Sequence, residues 1–143
     1  MKTVCLFCAS MDGIDPYYKK EANKIGDILL KHNYSLLYGG GVLGLMGEAA
    51  KSAHKKGVKI ISVFPEYLDD PDIIFSEHQQ VIRTKSIIDR KEKMIQLSDI
   101  FICLPGGIGT LDEITEVLSS AALGEHTCLL YTSPGPRDRS ISR

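Results

Sequence analysis

No stretch of the 143-residue chain approaches the ~20 consecutive apolar residues that a membrane-spanning helix needs, so none is expected. Neither sign of charge is in excess: 17 Lys and Arg stand against 18 Asp and Glu, for a net charge of -1. That leaves no electrostatic footprint for nucleic acid or an anionic membrane. Cysteine is too sparse and too scattered to make a metal site. Cys5 and Cys8 fall on one expected strand, where that spacing sends the side chains to opposite faces; Cys103 lies in another apolar run and Cys128 near the end. All four read as small buried hydrophobes. His32, His54, His78 and His126 have no ligand or triad spacing. The N-terminal run, Met1 to Cys8, is a strand rather than a secretory signal, because Ser10, Asp12 and Asp15 follow too soon. A cytoplasmic protein is expected, with neither a metal nor a cofactor.

What is present alternates between two periods. Thr3 to Cys8 reads as a strand, and Asp15-Pro16 opens a helix to about His32-Asn33, with Asp as cap and Pro at the first helical position. Ser35 to Tyr38 is a second strand running into Gly39-Gly40-Gly41. A helix from about Gly44 closes on Lys55-Lys56-Gly57, cations and a glycine at its C-terminus. Further strands are expected at Val58 to Phe64 and near His78 to Ile82, then a helix from about Lys85 to Leu97. The run from Asp99 to Leu104 is a buried strand, and Leu111, Ile114, Leu118 and Ala121 recur at helical spacing. Repeated strand–helix units predict a Rossmann-like α/β fold in three layers, a parallel sheet with helices on both faces. Ligands bind such sheets outside the carboxyl ends of the strands, where the strand order reverses. Ala9-Ser10, Gly39 to Gly47, the Arg90 helix and Gly106 to Glu113 are expected to converge there.

Two glycine clusters carry the chemistry. Pro105 to Glu113, PGGIGTLDE, sits between a strand and a helix, where free backbone amides and the helix dipole make an anion site. Glu113 is expected in the first helical turn. A carboxylate there suits work on a phosphorylated ligand, although Thr110-Leu-Asp-Glu113 also reads as a capping box with no chemistry. Gly39-x-Gly41-x-x-Gly44 matches the dinucleotide fingerprint in form, but no acidic residue follows at the ribose position, and no Gly-Lys-Ser/Thr completes a Walker loop. Tight helix–strand packing is the plain alternative; beside the second glycine turn, phosphate or ribose contact is the better reading. Arg90-Lys91 lies on an edge of its helix that also carries Ile87 and Met94, placing a fork-shaped cation and a point charge toward the crevice.

Taken in order, Gly39-Gly-Gly-x-x-Gly-Leu-Met-Gly47, Arg90-Lys91 and Pro105-Gly-Gly-x-Gly-Thr-x-x-Glu113 resemble the LOG family, the cytokinin riboside 5′-monophosphate phosphoribohydrolases, sometimes labelled lysine decarboxylase-like. The resemblance covers roughly residues 1–126. It implies a hydrolase that splits the N-glycosidic bond of an N6-substituted adenosine 5′-monophosphate into free base and ribose 5-phosphate. Arg90 and Glu113 match its catalytic pair. Substrate-binding positions are matched by Ser10, Gly40, Gly41, Gly44, Met46, Gly47, Asp72, Lys91, Gly106, Gly107, Ile108, Gly109, Thr110, Leu111, Asp112 and Ser119. It also implies a homo-oligomer, a dimer. Related folds serve as cofactor carriers, so a non-catalytic nucleotide or phosphorylated-cofactor carrier is the alternative. Ala9, Asp72, Ile87-Ile88 and Ser119-Ser-Ala-Ala-Leu-Gly124 depart from the family pattern, at positions bearing on base selectivity and the dimer contact rather than on phosphate or ribose.

One domain is expected, residues 1–127, followed by a non-family tail, 128–143. Cys128 to Arg143 holds a short apolar stub and then Pro, Gly and charge, and resembles translated adapter read-through, with a short natural linker as the alternative. The expectation is a Rossmann-like domain truncated at its C-terminus.

Overall fold

The computed structural model describes residues 1–8, 16–78, 80–104, 106, 108–126 and 129–132. Six strands form one parallel sheet: β1 (Lys2–Phe7), β2 (Tyr34–Tyr38), β3 (Ile60–Pro65), β4 (Gln80–Thr84), β5 (Ile100–Cys103) and β6 (Leu129–Thr132), in the order β4-β3-β2-β1-β5-β6. The helices are α1 (Pro16–Asn23), α2 (Ile25–His32), α3 (Gly44–Lys55), α4 (Ile87–Leu97) and α5 (Ile108–Ala122). The chain builds outward from β1 to β4, then crosses back to lay β5 on the other side of β1. The reversal point therefore lies between β1 and β5, and the crevice opens beyond Phe7 and Cys103.

Strand alternation sorts the core into two layers. Val4, Leu6 and Cys8 face α1–α3, packing with Leu29, Leu45 and Ala49. Cys5 and Phe7 face α4 and α5, packing with Met94, Phe101 and Val117. Cys5 and Cys8 thus do point to opposite faces, and Cys5, Cys8 and Cys103 are buried free thiols. Ala49, Ala50 and Ala53 are fully buried on α3, and their small size lets that helix lie close to the sheet and to α2. Leu36 and Leu37 on β2 are fully buried, one to each layer. Each such leucine contributes about 1.5–3 kcal/mol over an exposed one.

Three elements differ from the sequence expectation. The first helix is not continuous to Asn33: it breaks at Lys24. Ser52 on α3 causes the break, since its Oγ donates to the Asn23 carbonyl at 2.5 Å and accepts from the Gly26 amide at 3.0 Å. A side chain from another helix takes over bonds the backbone would otherwise make to itself. Asn33 then ends α2 in the left-handed region, φ 57°, with its amide donating to Leu29 and Leu30. The strand expected near His78 to Ile82 lies at Gln80–Thr84. Finally, the sheet runs past residue 127: Leu129–Thr132 pairs with Ile100–Cys103 as β6, so the apolar stub adds an edge strand.

Candidate functional site

Gly39 to Gly47 form the wall of the crevice beyond β2. Gly40 has φ +84° and Gly44, the first residue of α3, φ +63°, a region that glycine enters at little cost. A side chain on Gly47 would run into the Val42 carbonyl, so α3 starts tight against its own loop. The loop is pinned from outside by the segment after β3. Phe75 donates its amide to the Gly40 carbonyl at 2.8 Å, Val42 donates to Ile73 at 2.9 Å, and Gly41 bridges to Ile74. Met46 turns back toward the loop and its Sδ accepts from the Gly41 amide at 3.1 Å.

Arg90 from α4 and Glu113 from α5 meet at the centre. Arg90 Nη2 donates to Glu113 Oε2 at 3.4 Å, with the two side chains 14% and 8% exposed. Ser86 caps α4, accepting from the Asp89 amide at 3.2 Å, and so fixes the turn that presents Arg90. The capping-box reading of Glu113 fails for a simple reason. Helix α5 begins at Ile108, so Thr110 is already inside the helix and Glu113 falls in its second turn, not its first. Its carboxylate turns to Arg90 instead.

Burial pushes the Glu113 carboxyl up to about 7; Arg90 and Lys91 pull against that, while Asp112 adds to it. Burial and the Glu113 charge together also raise the thiols of Cys8 and Cys103, so none of these sulfurs is poised as a nucleophile. Arg90 Nε is buried without a hydrogen-bond partner, and Nη1 lies 3.4 Å from where a Gly39 side chain would begin. Gly39 has only its place at the head of the cluster to mark it in the sequence, and the guanidinium of Arg90 packs close beside it.

Lys91 and Asp112 pair at 3.1 Å across the same two helices. A lysine at that place puts a compact point charge beside the start of α5, of the kind that suits a phosphate. Gly106, Ile108, Gly109 and Leu111 are exposed around the start of α5, where first-turn amides lack helical partners, and Thr110 is buried. Asp72 is exposed on the segment that pins the glycine loop, its own amide bonded to Asp70 Oδ1 at 2.9 Å. Ser119 is exposed farther along α5. Neither Asp72 nor Ser119 joins the Arg90–Glu113 pair. Ser10 and Gly107 lie outside the described residues.

Among the described residues, no cluster of His, Cys, Asp or Glu could hold a metal ion, and no helix is long and apolar enough to cross a membrane. An open cavity of about 420 Å³ lies against α3, lined by Lys51, His54, Phe75 and Glu77 among others, and it includes none of the candidate residues. The ionisable pair in the crevice, not that cavity, has the chemistry of a reactive site.

A family described as "Possible lysine decarboxylase" matches residues 46–134. The cytokinin riboside 5'-monophosphate phosphoribohydrolases LOG5 and LOG7 of Arabidopsis thaliana are each 38% identical over 125 residues, 87% of this chain and 55% and 58% of their own lengths. The probable cytokinin riboside 5'-monophosphate phosphoribohydrolase LOGL9 of Oryza sativa subsp. japonica is 39% identical over 87% of the chain and 55% of its own. The chain thus spans a little over half the length of these relatives. Among solved structures, the molybdenum cofactor carrier protein of Chlamydomonas reinhardtii superposes with a TM-score of 0.76 at 23% identity, covering 94% of this chain and 79% of that one. The molybdenum cofactor binding protein of Rippkaea orientalis gives 0.74 at 20% identity, covering 99% and 82%. At such identities the structural likeness shows the fold alone.

Proposed function

The chain belongs to the possible lysine decarboxylase family, the LOG family, and from that premise we propose that it hydrolyses the N-glycosidic bond of an N6-substituted adenosine 5′-monophosphate. The observation that carries this reading is the buried Arg90–Glu113 pair, 3.4 Å apart, with Arg90 beside Gly39 and Glu113 on α5. The bond between ribose C1′ and the base nitrogen breaks, its electron pair leaves with the base, and positive charge spreads over C1′ and the ring oxygen. Ionised Glu113 stabilises that charge and orients the water that attacks C1′. Arg90 fixes the ribose or phosphate and supports the departing base. The amides opening α5 and α3, with Lys91, hold the 5′-phosphate. Binding energy from the remote phosphate then supports chemistry at C1′. The attacking water loses a proton as it bonds to C1′, the departing base nitrogen gains one, and the products are free base and ribose 5-phosphate.

The carrier alternative needs the glycine turns but gives Glu113 no task. Burying that carboxylate costs stability that the Arg90 pairing offsets only in part, a cost a catalytic role explains and a carrier role does not. Mixing the protein with isopentenyladenosine 5′-monophosphate and separating the products tests the reading. Free base should appear with wild type, and Glu113→Gln should bind AMP while turning over at least ~100-fold more slowly. Tight AMP binding with no free base from wild type would favour the carrier.

We also propose that two copies pack through α4 and α5. Ile88, Ile108, Leu111 and Leu118 are between 53% and 83% exposed on these helices, and Leu123 just beyond α5 is 78% exposed, apolar surface that a second copy would cover.

A further inference from the structure

We propose that Met46 is a positioning residue for Arg90, its thioether holding the glycine loop in the form that seats the guanidinium. The inference rests on Arg90 and Glu113 being the reacting pair, and deepens that reading.

Long side chains on a helix lean toward its N-terminus, and from the first turn of α3 that direction leads back onto the preceding loop. Met46 is only 9% exposed there. Its sulfur makes one hydrogen bond and lies beside the open side of Gly39. Sδ accepts from the Gly41 amide at 3.1 Å. Sδ and Cε also lie 3.5 Å and 3.3 Å from the point where a Gly39 side chain would begin, and Arg90 Nη1 lies 3.4 Å from that same point. Met46 and Arg90 therefore fill the space beside Gly39 together, one from α3 and one from α4. The guanidinium needs this support. Its Nε has no hydrogen-bond partner, and its bond to Glu113 is long at 3.4 Å, so the side chains beside it bear on where it sits.

The residue type fits the task. A thioether is unbranched and polarisable, fills an irregular gap and still accepts weakly from an amide. Leucine has similar bulk but no acceptor, so it would leave the buried Gly41 amide unsatisfied and loosen the loop at that point. Glutamine keeps the length and restores an acceptor.

The experiment follows the Glu113 carboxyl by carbon NMR through a pH titration of wild type, Met46→Leu and Met46→Gln, with no ligand present. Arg90 opposes the rise of the Glu113 midpoint, as does Lys91, while Asp112 adds to it. In Met46→Leu the midpoint should rise by roughly half a unit or more as Arg90 moves away. Met46→Gln should return it toward wild type. Turnover of isopentenyladenosine 5′-monophosphate should fall about tenfold in kcat for Met46→Leu, with little change in KM, as expected when a reacting group is displaced. An unchanged midpoint in Met46→Leu, or a Met46→Gln protein as perturbed as the leucine variant, would overturn the proposal. If Met46→Leu does not fold, Met46→Gln decides alone: a wild-type midpoint supports the proposal and a displaced one overturns it. Absence of turnover in wild type would count against the reading of the site, and the titration would still judge Met46.

Discussion

Replacing Glu113 with glutamine should make the fold more stable and the site inert. The carboxyl rises from 4.5 to about 7 on folding, chiefly because it is buried. Its folded-state value lies above its unfolded one, so the folded protein holds this proton more tightly. Ionising the group therefore costs stability. The loss begins as pH passes the unfolded value near 4.5, grows up to about 7, and is constant above. At about 1.36 kcal/mol per unit, the full cost is roughly 3 kcal/mol, the attraction of Arg90 already included. Glutamine resembles the protonated acid in shape and can still accept from Arg90 Nη2, so it avoids that cost at every pH. In a domain of this size the difference is worth roughly 5–10 °C in melting temperature. Thermal unfolding of both proteins at about pH 5 and about pH 8 checks it: a small gap at the lower pH, and Glu113→Gln several degrees more stable at the higher. An equal gap at both, or a less stable variant at the higher pH, would refute the reasoning. A stable but inactive variant is what a site that trades stability for chemistry should give.

Other consequences follow from the same geometry. Turnover that needs ionised Glu113 should rise with pH through about 7 and level off above it; a profile already flat from about pH 5 would show that the ionised form is not required. Ser52→Ala should destabilise the protein by ~1–3 kcal/mol in urea unfolding, because it leaves the Gly26 amide and the Asn23 carbonyl without their shared partner. If α4 and α5 form the contact between copies, Leu118→Glu should convert a dimer to a monomer in sedimentation at micromolar concentration, with unfolding little changed; a wild type that is already monomeric would contradict the proposed contact.

What could be read in advance divides by the range of the interactions involved. The apolar run before Pro105 and the glycines after it announce a strand, a turn and a helix, because each signal is local. The same holds for Ser35 to Tyr38 entering Gly39-Gly40-Gly41. The break at Lys24 could not be read, since the hydroxyl that causes it comes from Ser52 on another helix. Glu113 was ambiguous for a related reason. Its spacing from Thr110 fits a cap, and only the start of α5 at Ile108 and the approach of Arg90 decide between cap and ion pair. Gly39 is legible as a turn glycine but not as the neighbour of a guanidinium from α4. The β6 strand was masked by the Pro, Gly and charge that follow it, although Leu129–Thr132 has the apolar character that pairing with β5 needs.

The most direct measurement is the rate of free-base release from isopentenyladenosine 5′-monophosphate set beside that from the corresponding nucleoside, with ribose 5-phosphate assayed as the second product. A site that anchors phosphate on two glycine turns and acts at C1′ through Arg90 and Glu113 should release base and sugar phosphate in equal amounts from the monophosphate, and far more slowly from the nucleoside. Equal rates on both substrates, or no base from either, would contradict it.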